Sequence, residues 1–333
     1  MELKKSVNIY TIAAAAGVST ATVSRVMSNS NNVSEKTRRK VLDAINALDY
    51  VPNPFARGLG LGSIKSIGIL CTDVSDIFYA HAVSNLEGLL RANGFSSLLY
   101  CTGTIVDEKR KGIETVLSKG VDAIILAGSS LIDDNDNSHI YAAARQVPIF
   151  CINGLVEGDN IYCVTCDERR AMYDNAAALY QAGCRRILYL YDILTFSGRQ
   201  KWQGLEAARS DFCGDQQGLL SIQIERDLDM IQGCVNQLLD QGEWFDGVLA
   251  SEDILAIGAC KALLARGLAL PVIGYNNSIL AECATPALSS MDNSLDQVCE
   301  STCIALKQLL GGQCPPRQVT FTGRLIQRDT FRK

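Results

Sequence analysis

No stretch of the 333 residues approaches the roughly 18 consecutive apolar residues of a membrane-spanning helix, although 47% of the chain is hydrophobic. No charged-then-apolar leader opens it either, so the chain is expected to be cytoplasmic, with no membrane partner. Histidine is nearly missing. Only His81 and His139 occur, and neither has an acid, base or nucleophile placed beside it in sequence, which argues against an enzyme. There is no phosphate-cradling P-loop and no G-x-G-x-x-G turn after a strand. The glycine-rich "GLGLGS" of residues 58–63 follows a basic segment and reads as a hinge. Cysteine is plentiful at 13, but the number is odd and most sit in apolar runs, as Cys71, Cys151 and Cys260 do. They read as small buried hydrophobes, not as a disulfide framework. One C-x-x-C exists, Cys163 to Cys166, inside the alternating run "IYCVTCD". It lacks the second pair that a zinc site needs, so neither a metal nor a cofactor is expected.

What is present is a division of charge. Residues 1–62 hold eight Lys and Arg against four Asp and Glu, a net +4; the whole chain is −5, which leaves −9 for residues 63–333. A small basic module is joined to a large acidic one. In the basic module Asn8 can cap a helix in which Ile9, Ile12, Ala13 and Ala16 recur at helical spacing until Gly17. Ser19 can cap a second helix over residues 20–28. An advance of about 100° per residue puts Thr22, Val23, Val26 and Met27 on one side and Thr20, Ala21, Ser24, Arg25 and Ser28 on the other. The second side is short and polar. It lets a backbone come close to a DNA groove, where hydroxyls meet phosphates and an arginine can hold guanine with two bonds. This is the pattern of a helix-turn-helix. A third helix, capped by Ser34, carries an apolar stripe of Val41, Leu42, Ile45 and Leu48 and a basic start of Lys36, Arg38, Arg39 and Lys40. Positive charge at a helix start opposes the helix dipole, and phosphates would compensate it.

The acidic module alternates strand-like runs with helical ones. "SIGILC", "SSLLYC", "DAIILAG" and "PIFCIN" are separated by helices near 79–93, 107–119 and 138–145. "RILYLY", "LLSIQI", "DGVLAS" and "PVIGYN" alternate with helices near 169–183, 199–213, 229–241 and 253–266. Two such series predict two parallel-sheet lobes. Ligands of these sheets sit beyond the carboxyl ends of the strands. The candidates there are Asp73, Asp76, Phe78, Tyr79, Thr102, Ser129, Ser130 and Asn153 in the first series. In the second they are Asp167, Lys201, Ser251, Glu252 and Asn276.

"TIAAAAGVSTATVSRVMS", "VSEKTRRKVLDAINALDYVPNPFARGL" and "SIGILCTDVSDIFYAHAVSNLEGLLRANGF", in that order and spacing, resemble the lactose-repressor (LacI/GalR) family of bacterial transcription regulators. The likeness extends over the chain through "VTCDERRAMYDNAAALYQAGCRRILYL", "ASEDILAIGACKALLARGL", "IGYNNSILAECATPALSSM" and "RLIQRDT". It implies an all-α helix-turn-helix headpiece over residues 1–62, with a hinge at about 53–62. It also implies an α/β periplasmic-binding-protein-like core over 63–333, its two parallel-sheet lobes joined by three crossover strands. The first lobe would take about 63–161 and 292–318, the second about 162–291 and 319–333. The implied activity is repression: a homodimer, with a tetramer left open, reads a pseudo-palindromic double-stranded operator under the control of a small effector held between the lobes. By this likeness Thr20, Ala21 and Arg25 contact bases, while Ser19, Ser24, Ser28 and Arg39 hold phosphates. Asn53 belongs to the DNA-binding hinge, and Leu59 matches a residue that wedges into the minor groove.

For the effector, the likeness implies that Phe78, Tyr79 and Asp167 line the cleft and that Lys201, Ser251 and Asn276 grip a sugar or purine; the strand-end residues Asp76, Thr102 and Ser129 complete the expected pocket. Two positions depart from the family. Lys201 stands where sugar-binding relatives commonly have arginine, and Arg199, two residues earlier on the helix, faces the other way. Gly274-Tyr275-Asn276 replaces the familiar G-F-D, and "LPVIGYNN" is several residues shorter than usual. Two readings follow. Either Lys201 makes the cleft suit an anionic effector such as a phosphosugar, or it is paired internally with Glu252 or Asp167 and the cleft is nearly neutral.

Overall fold

The computed structural model describes residues 8–27, 32–48, 65–133, 136–214 and 218–332. Two compact units are separated at Lys65 and Ser66. The first is helical, with α1 (Ile9–Ala16), α2 (Thr20–Met27) and α3 (Glu35–Ala47). Asn8 caps α1 by accepting from the Thr11 backbone while the Thr11 hydroxyl accepts from the Asn8 backbone. Gly17 ends α1 at φ 67°, a left-handed turn that glycine adopts without a Cβ clash. Ile12, Ala13, Ala16, Val23, Val26, Val41 and Ala44 form one core. Here the expected stripe on α3 changes. Leu42 is 45% exposed, and Ala44 takes the inward place. The reason is angular: Ala44, Ile45 and Leu48 follow Val41 by three, four and seven residues, whereas Leu42 is rotated about 100° away.

The second unit holds two six-stranded sheets. The first lobe is built from β1 (Ser66–Cys71), α4 (Ile77–Ala92), β2 (Ser96–Cys101), α5 (Val106–Leu117), β3 (Ala123–Ala127), α6 (Ser138–Ala144), β4 (Ile149–Ile152) and β5 (Ile161–Cys166). The second follows as α7 (Glu168–Gln181), β6 (Ile187–Tyr191), α8 (Phe196–Cys213), β7 (Leu219–Gln223), α9 (Leu228–Asp240), β8 (Gly247–Ala250), α10 (Asp253–Ala265), β9 (Val272–Tyr275), α11 (Ile279–Cys283) and β10 (Ser289–Asp292). The chain then returns through α12 (Leu295–Leu310) and β11 (Gln318–Phe321) to the first lobe and ends with β12 (Arg324–Ile326) in the second.

Sheet orders are β11-β5-β4-β3-β1-β2 and β12-β10-β9-β8-β6-β7, all parallel except the β10–β12 pair. Alternate residues of β1 face opposite layers: Ile67, Ile69 and Cys71 pack under α4 and α12, while Leu70 packs under α5 and α6. The chain crosses between lobes three times, after β5, after β10 and after β11. The lobe limits differ from the expected ones at two places, because β5 and β11 both belong to the first sheet. Their ladders fix this: Ile149 pairs with Ile161 and Gln318 with Cys163, so each strand is hydrogen-bonded into the first lobe to its end.

Candidate functional site

In the helical unit, Val23 and Val26 of α2 are buried and Ala21, Ser24 and Arg25 are exposed, with Thr20 half-exposed. The outward face is therefore the short polar one, and Arg39 on α3 is exposed as well. Ser19 serves the fold directly, since its hydroxyl accepts from the Thr22 backbone at 3.2 Å and lies 2.9 Å from the Thr22 hydroxyl. Ser28, Asn53 and Leu59 lie outside the described residues.

Between the lobes of the second unit lies a cavity of about 50 Å³. It brings together Asp76, Phe78 and Tyr79 after β1, Ser129 after β3, and Lys201, Ser251 and Asn276 from the second lobe; Ser130, Asn153 and Glu252 line it too. Two expected residues are not in its lining. The Thr102 hydroxyl is buried at the end of β2 and donates to the Gly103 carbonyl at 2.8 Å. Asp167 is the N-cap of α7, its Oδ1 accepting from the Arg170 backbone at 2.9 Å. The next residue, Glu168, is the one that reaches the cavity.

Lys201 is 5% exposed and engaged on three sides. Its ammonium donates to the Ser251 carbonyl at 3.1 Å, stands 3.9 Å from Glu168 Oε2 and lies 3.9 Å from the centre of the Tyr275 ring. The internal-pair reading of Lys201 is thus the one the structure contains, with Glu168 in place of Glu252 or Asp167. Burial pushes the Glu168 carboxyl above its ordinary range, and the Lys201 charge pulls it back. Arg199 turns away, donating to the Leu194 carbonyl at 2.8 Å.

A second cation, unexpected from the sequence, sits across the cleft. Arg226, three residues beyond β7, reaches Asp192 after β6 at 2.6 Å, Glu252 after β8 at 3.7 Å, and Asp76 of the opposite lobe. Burial opposes its charge, but Glu252, Asp192 and Asp76 together hold its pKa above the ordinary value. Glu252 is pushed up to about 8, chiefly by burial against the pull of Lys201 and Arg226. It also accepts from the Asn276 amide. The other side of that amide accepts from Asn293 at 2.9 Å, while Asn293 Oδ1, buried and lining the cavity, meets no donor. The lobes touch again where the Ser129 hydroxyl donates to Thr195 at 2.9 Å. Tyr79 closes one wall, its hydroxyl donating to Ser130 at 2.9 Å and its ring set against Gly128, whose φ of 99° and missing Cβ the contact requires. Asp192 and Arg226 follow strands, so reading every strand end would have found both.

The ionisable groups of this pocket are Asp76, Glu168, Asp192 and Glu252 against Lys201 and Arg226, with burial favouring the protonated form of Glu168 and Glu252. Its groups are hydrogen-bonding side chains around a small polar space. No cluster of metal-ligating side chains occurs among the described residues. Cys163 and Cys166, three apart on β5, point to opposite faces of the sheet and cannot share an ion.

Comparison with known proteins extends over both units. The pattern described as bacterial regulatory proteins, lacI family, matches residues 8–53, and that of a periplasmic binding protein-like domain matches 176–331. An HTH-type transcriptional regulator of Lachnoclostridium phytofermentans is 43% identical over 97% of this chain and 99% of its own. The lac repressor dimer bound to operator and the anti-inducer ONPF has the same fold, with a TM-score of 0.85 at 22% identity over 98% of this chain and 99% of that one. The regulator CelR in complex with cellobiose gives a TM-score of 0.68 at 24% identity, over 98% and 100%.

Proposed function

Because the chain belongs to the lacI family of bacterial regulatory proteins, we propose that this helix-turn-helix transcriptional regulator is a dimeric repressor. It reads a pseudo-palindromic operator with α2 and is controlled by a neutral, polyhydroxylated effector of the sugar class in the interlobe cleft. The observation that carries the first half is the outward face of α2. Its buried Val23 and Val26 fix Thr20, Ala21, Ser24 and Arg25 outward, on a module of net positive charge. Two copies are needed, since one small module makes few phosphate contacts. Thr20, Ala21 and Arg25 are the base-reading positions, and Ser24, Ser28 and Arg39 hold phosphates, with Asn53 and Leu59 in the hinge.

Relatives described by what they bind support this: the lac repressor is solved on its operator, and CelR with a sugar. The cleft's chemistry sets the effector class. Carboxyl groups and amides can exchange hydrogen bonds with hydroxyls, whereas an anionic ligand would meet the Asp76 and Asp192 carboxylates while Lys201 is engaged by Glu168 and Arg226 by Asp76 and Asp192. Binding to a duplex carrying the operator, followed over a range of salt concentrations, tests the DNA half. The expected result is a steep salt slope, and a loss on the order of 1–3 kcal/mol with relaxed preference at one half-site position for Arg25→Ala. If Arg25→Ala keeps the parent's ratio of specific to random binding, α2 is not the reading helix.

A further inference from the structure

The first lobe holds two cysteine pairs at matching positions of neighbouring strands, Cys71 with Cys101 on β1 and β2 and Cys151 with Cys163 on β4 and β5. Paired residues of parallel strands point to the same face. The strand spacing of about 4.8 Å lies inside the roughly 4.4–6.8 Å between Cα atoms that a disulfide spans. Access separates the two pairs. Cys151 and Cys163 are both buried in the core under α5 and α6, and the Cys163 thiol is occupied, donating to the Val156 carbonyl at 3.5 Å. Cys101 is exposed, because β2 is the edge of its sheet, while Cys71 beside it is 0% exposed, with the two Sγ atoms 3.8 Å apart. Burial pushes the Cys71 thiol up to about 12, so it is inert towards a diffusing oxidant. Cys101 is the sulfur that solvent reaches. The pair also stands at the cleft end of β1. There the Cys71 carbonyl accepts from the Thr102 backbone and the Thr72 carbonyl from that of Gly103, each at 2.9 Å. The chain then runs on to Asp76 and Tyr79, both in the cavity wall.

We propose that Cys71 and Cys101 are an oxidisable dithiol, closed to a disulfide by a hydroperoxide, and that this bond stiffens residues 72–79, which form one wall of the interlobe cavity. Cys101 Sγ, as the thiolate, attacks one peroxide oxygen; the O–O bond breaks, and the departing hydroxide takes up the thiol's proton as water. The product is a sulfenic acid on Cys101. Cys71 Sγ then attacks Cys101 Sγ, the S–O bond breaks, and the Cys71 proton leaves with the hydroxyl group as a second water. Two thiols are oxidised and one peroxide is reduced. The buried thiol is a slow nucleophile towards anything that must diffuse to it, but it is held beside the sulfur it attacks, which replaces a bimolecular encounter. A covalent tie between β1 and β2 also stops their last hydrogen bonds from opening, and residues 72–79 start from those bonds.

The test treats the full chain, its exposed Cys283 and Cys314 replaced by serine, with hydrogen peroxide and then alkylates the remaining thiols. Trypsin places Cys71 and Cys101 on separate peptides, 66–91 and 92–109, with one cysteine each. Mass spectrometry is expected to find these two joined, lighter than their sum by the hydrogens lost, and separated again by dithiothreitol. Amide exchange across 72–79 is expected to slow by about threefold in the oxidised chain and to be unchanged by the same treatment of Cys101→Ser. Cys71→Ala should instead leave a Cys101 sulfenic acid that dimedone traps. Cys101 joined to the Cys101 of a second copy, or oxidised past the sulfenic acid while Cys71 is still alkylated, overturns the dithiol. A joined pair with unchanged exchange at 72–79 overturns its link to the cavity wall.

Discussion

Lys201 and Glu168 are a buried pair, with side chains 6% and 3% exposed, held at 3.9 Å. Removing one partner of such a pair strands the other in a medium that solvates it poorly. Lys201→Met is therefore expected to cost about 3 kcal/mol in denaturant unfolding, and the Lys201→Met/Glu168→Gln double variant to recover most of it. Equal loss in the single and double variants would show that packing, not the charge, sets the cost. Glu252 titrates differently from an ordinary glutamate. Burial raises its carboxyl from 4.5 to about 8 in the folded chain. The folded state therefore holds a proton that the unfolded state releases. The stability this provides is complete below about 4.5 and is lost as pH rises through 8. Relative to the parent, Glu252→Gln should leave a melting temperature that falls less between pH 6 and pH 8.5. Parallel melting curves for the two proteins would remove Glu252 from the pH response.

Among the elements, α7 and α8 pack closely enough that one glycine sets their distance. A Cβ on Gly204 would stand 2.0 Å from the Arg169 carbonyl oxygen and 3.0 Å from the Tyr173 nitrogen. Backbone cannot step aside as a flexible side chain can. Gly204→Ala is expected to destabilise the second lobe by about 1–3 kcal/mol, read as a shift of the denaturation midpoint, and to move Lys201, which lies one turn earlier on the same helix. An unshifted midpoint would mean that the helices separate freely. The same elements show how far a sequence can be read. Strands β1 to β4 and β6 to β9 and their intervening helices follow from apolar runs with turn residues between them; the central strands are covered on both faces and apolar throughout, while the edge strands β2 and β7 are partly exposed. The edge of each lobe does not follow. Whether "IYCVTC" closes the first sheet or opens the second depends on which ladder it joins, and hydrogen bonding to β4 leaves no local trace.

At the scale of the molecule, the contacts of Arg226 with Asp76 and of Ser129 with Thr195 tie the two lobes across the cleft. Asp76 also caps α4, accepting from the Phe78 backbone at 2.8 Å. Asn is a good cap but carries no charge, so Asp76→Asn separates the two roles. It should keep the melting temperature within a few degrees while enlarging the radius of gyration of the ligand-free chain in small-angle scattering. An unchanged radius would assign lobe closure to other contacts.

Much was fixed by sequence alone: a basic helical module with a thin polar outward face, two parallel-sheet lobes, and seven of the nine residues expected at the cleft, among them Asp76, Tyr79 and Lys201, that line the interlobe cavity. These depend on short-range rules, namely helical and strand periods, caps, and the loops beyond strand ends. Only the tertiary structure decided the charge of the cleft. Lys201 finds Glu168, 33 positions away, and Arg226 finds Asp76 at a separation of 150. Which carboxylate a cation meets is settled by the packing of α7 on α8 and of lobe on lobe. No spacing in the chain records that packing.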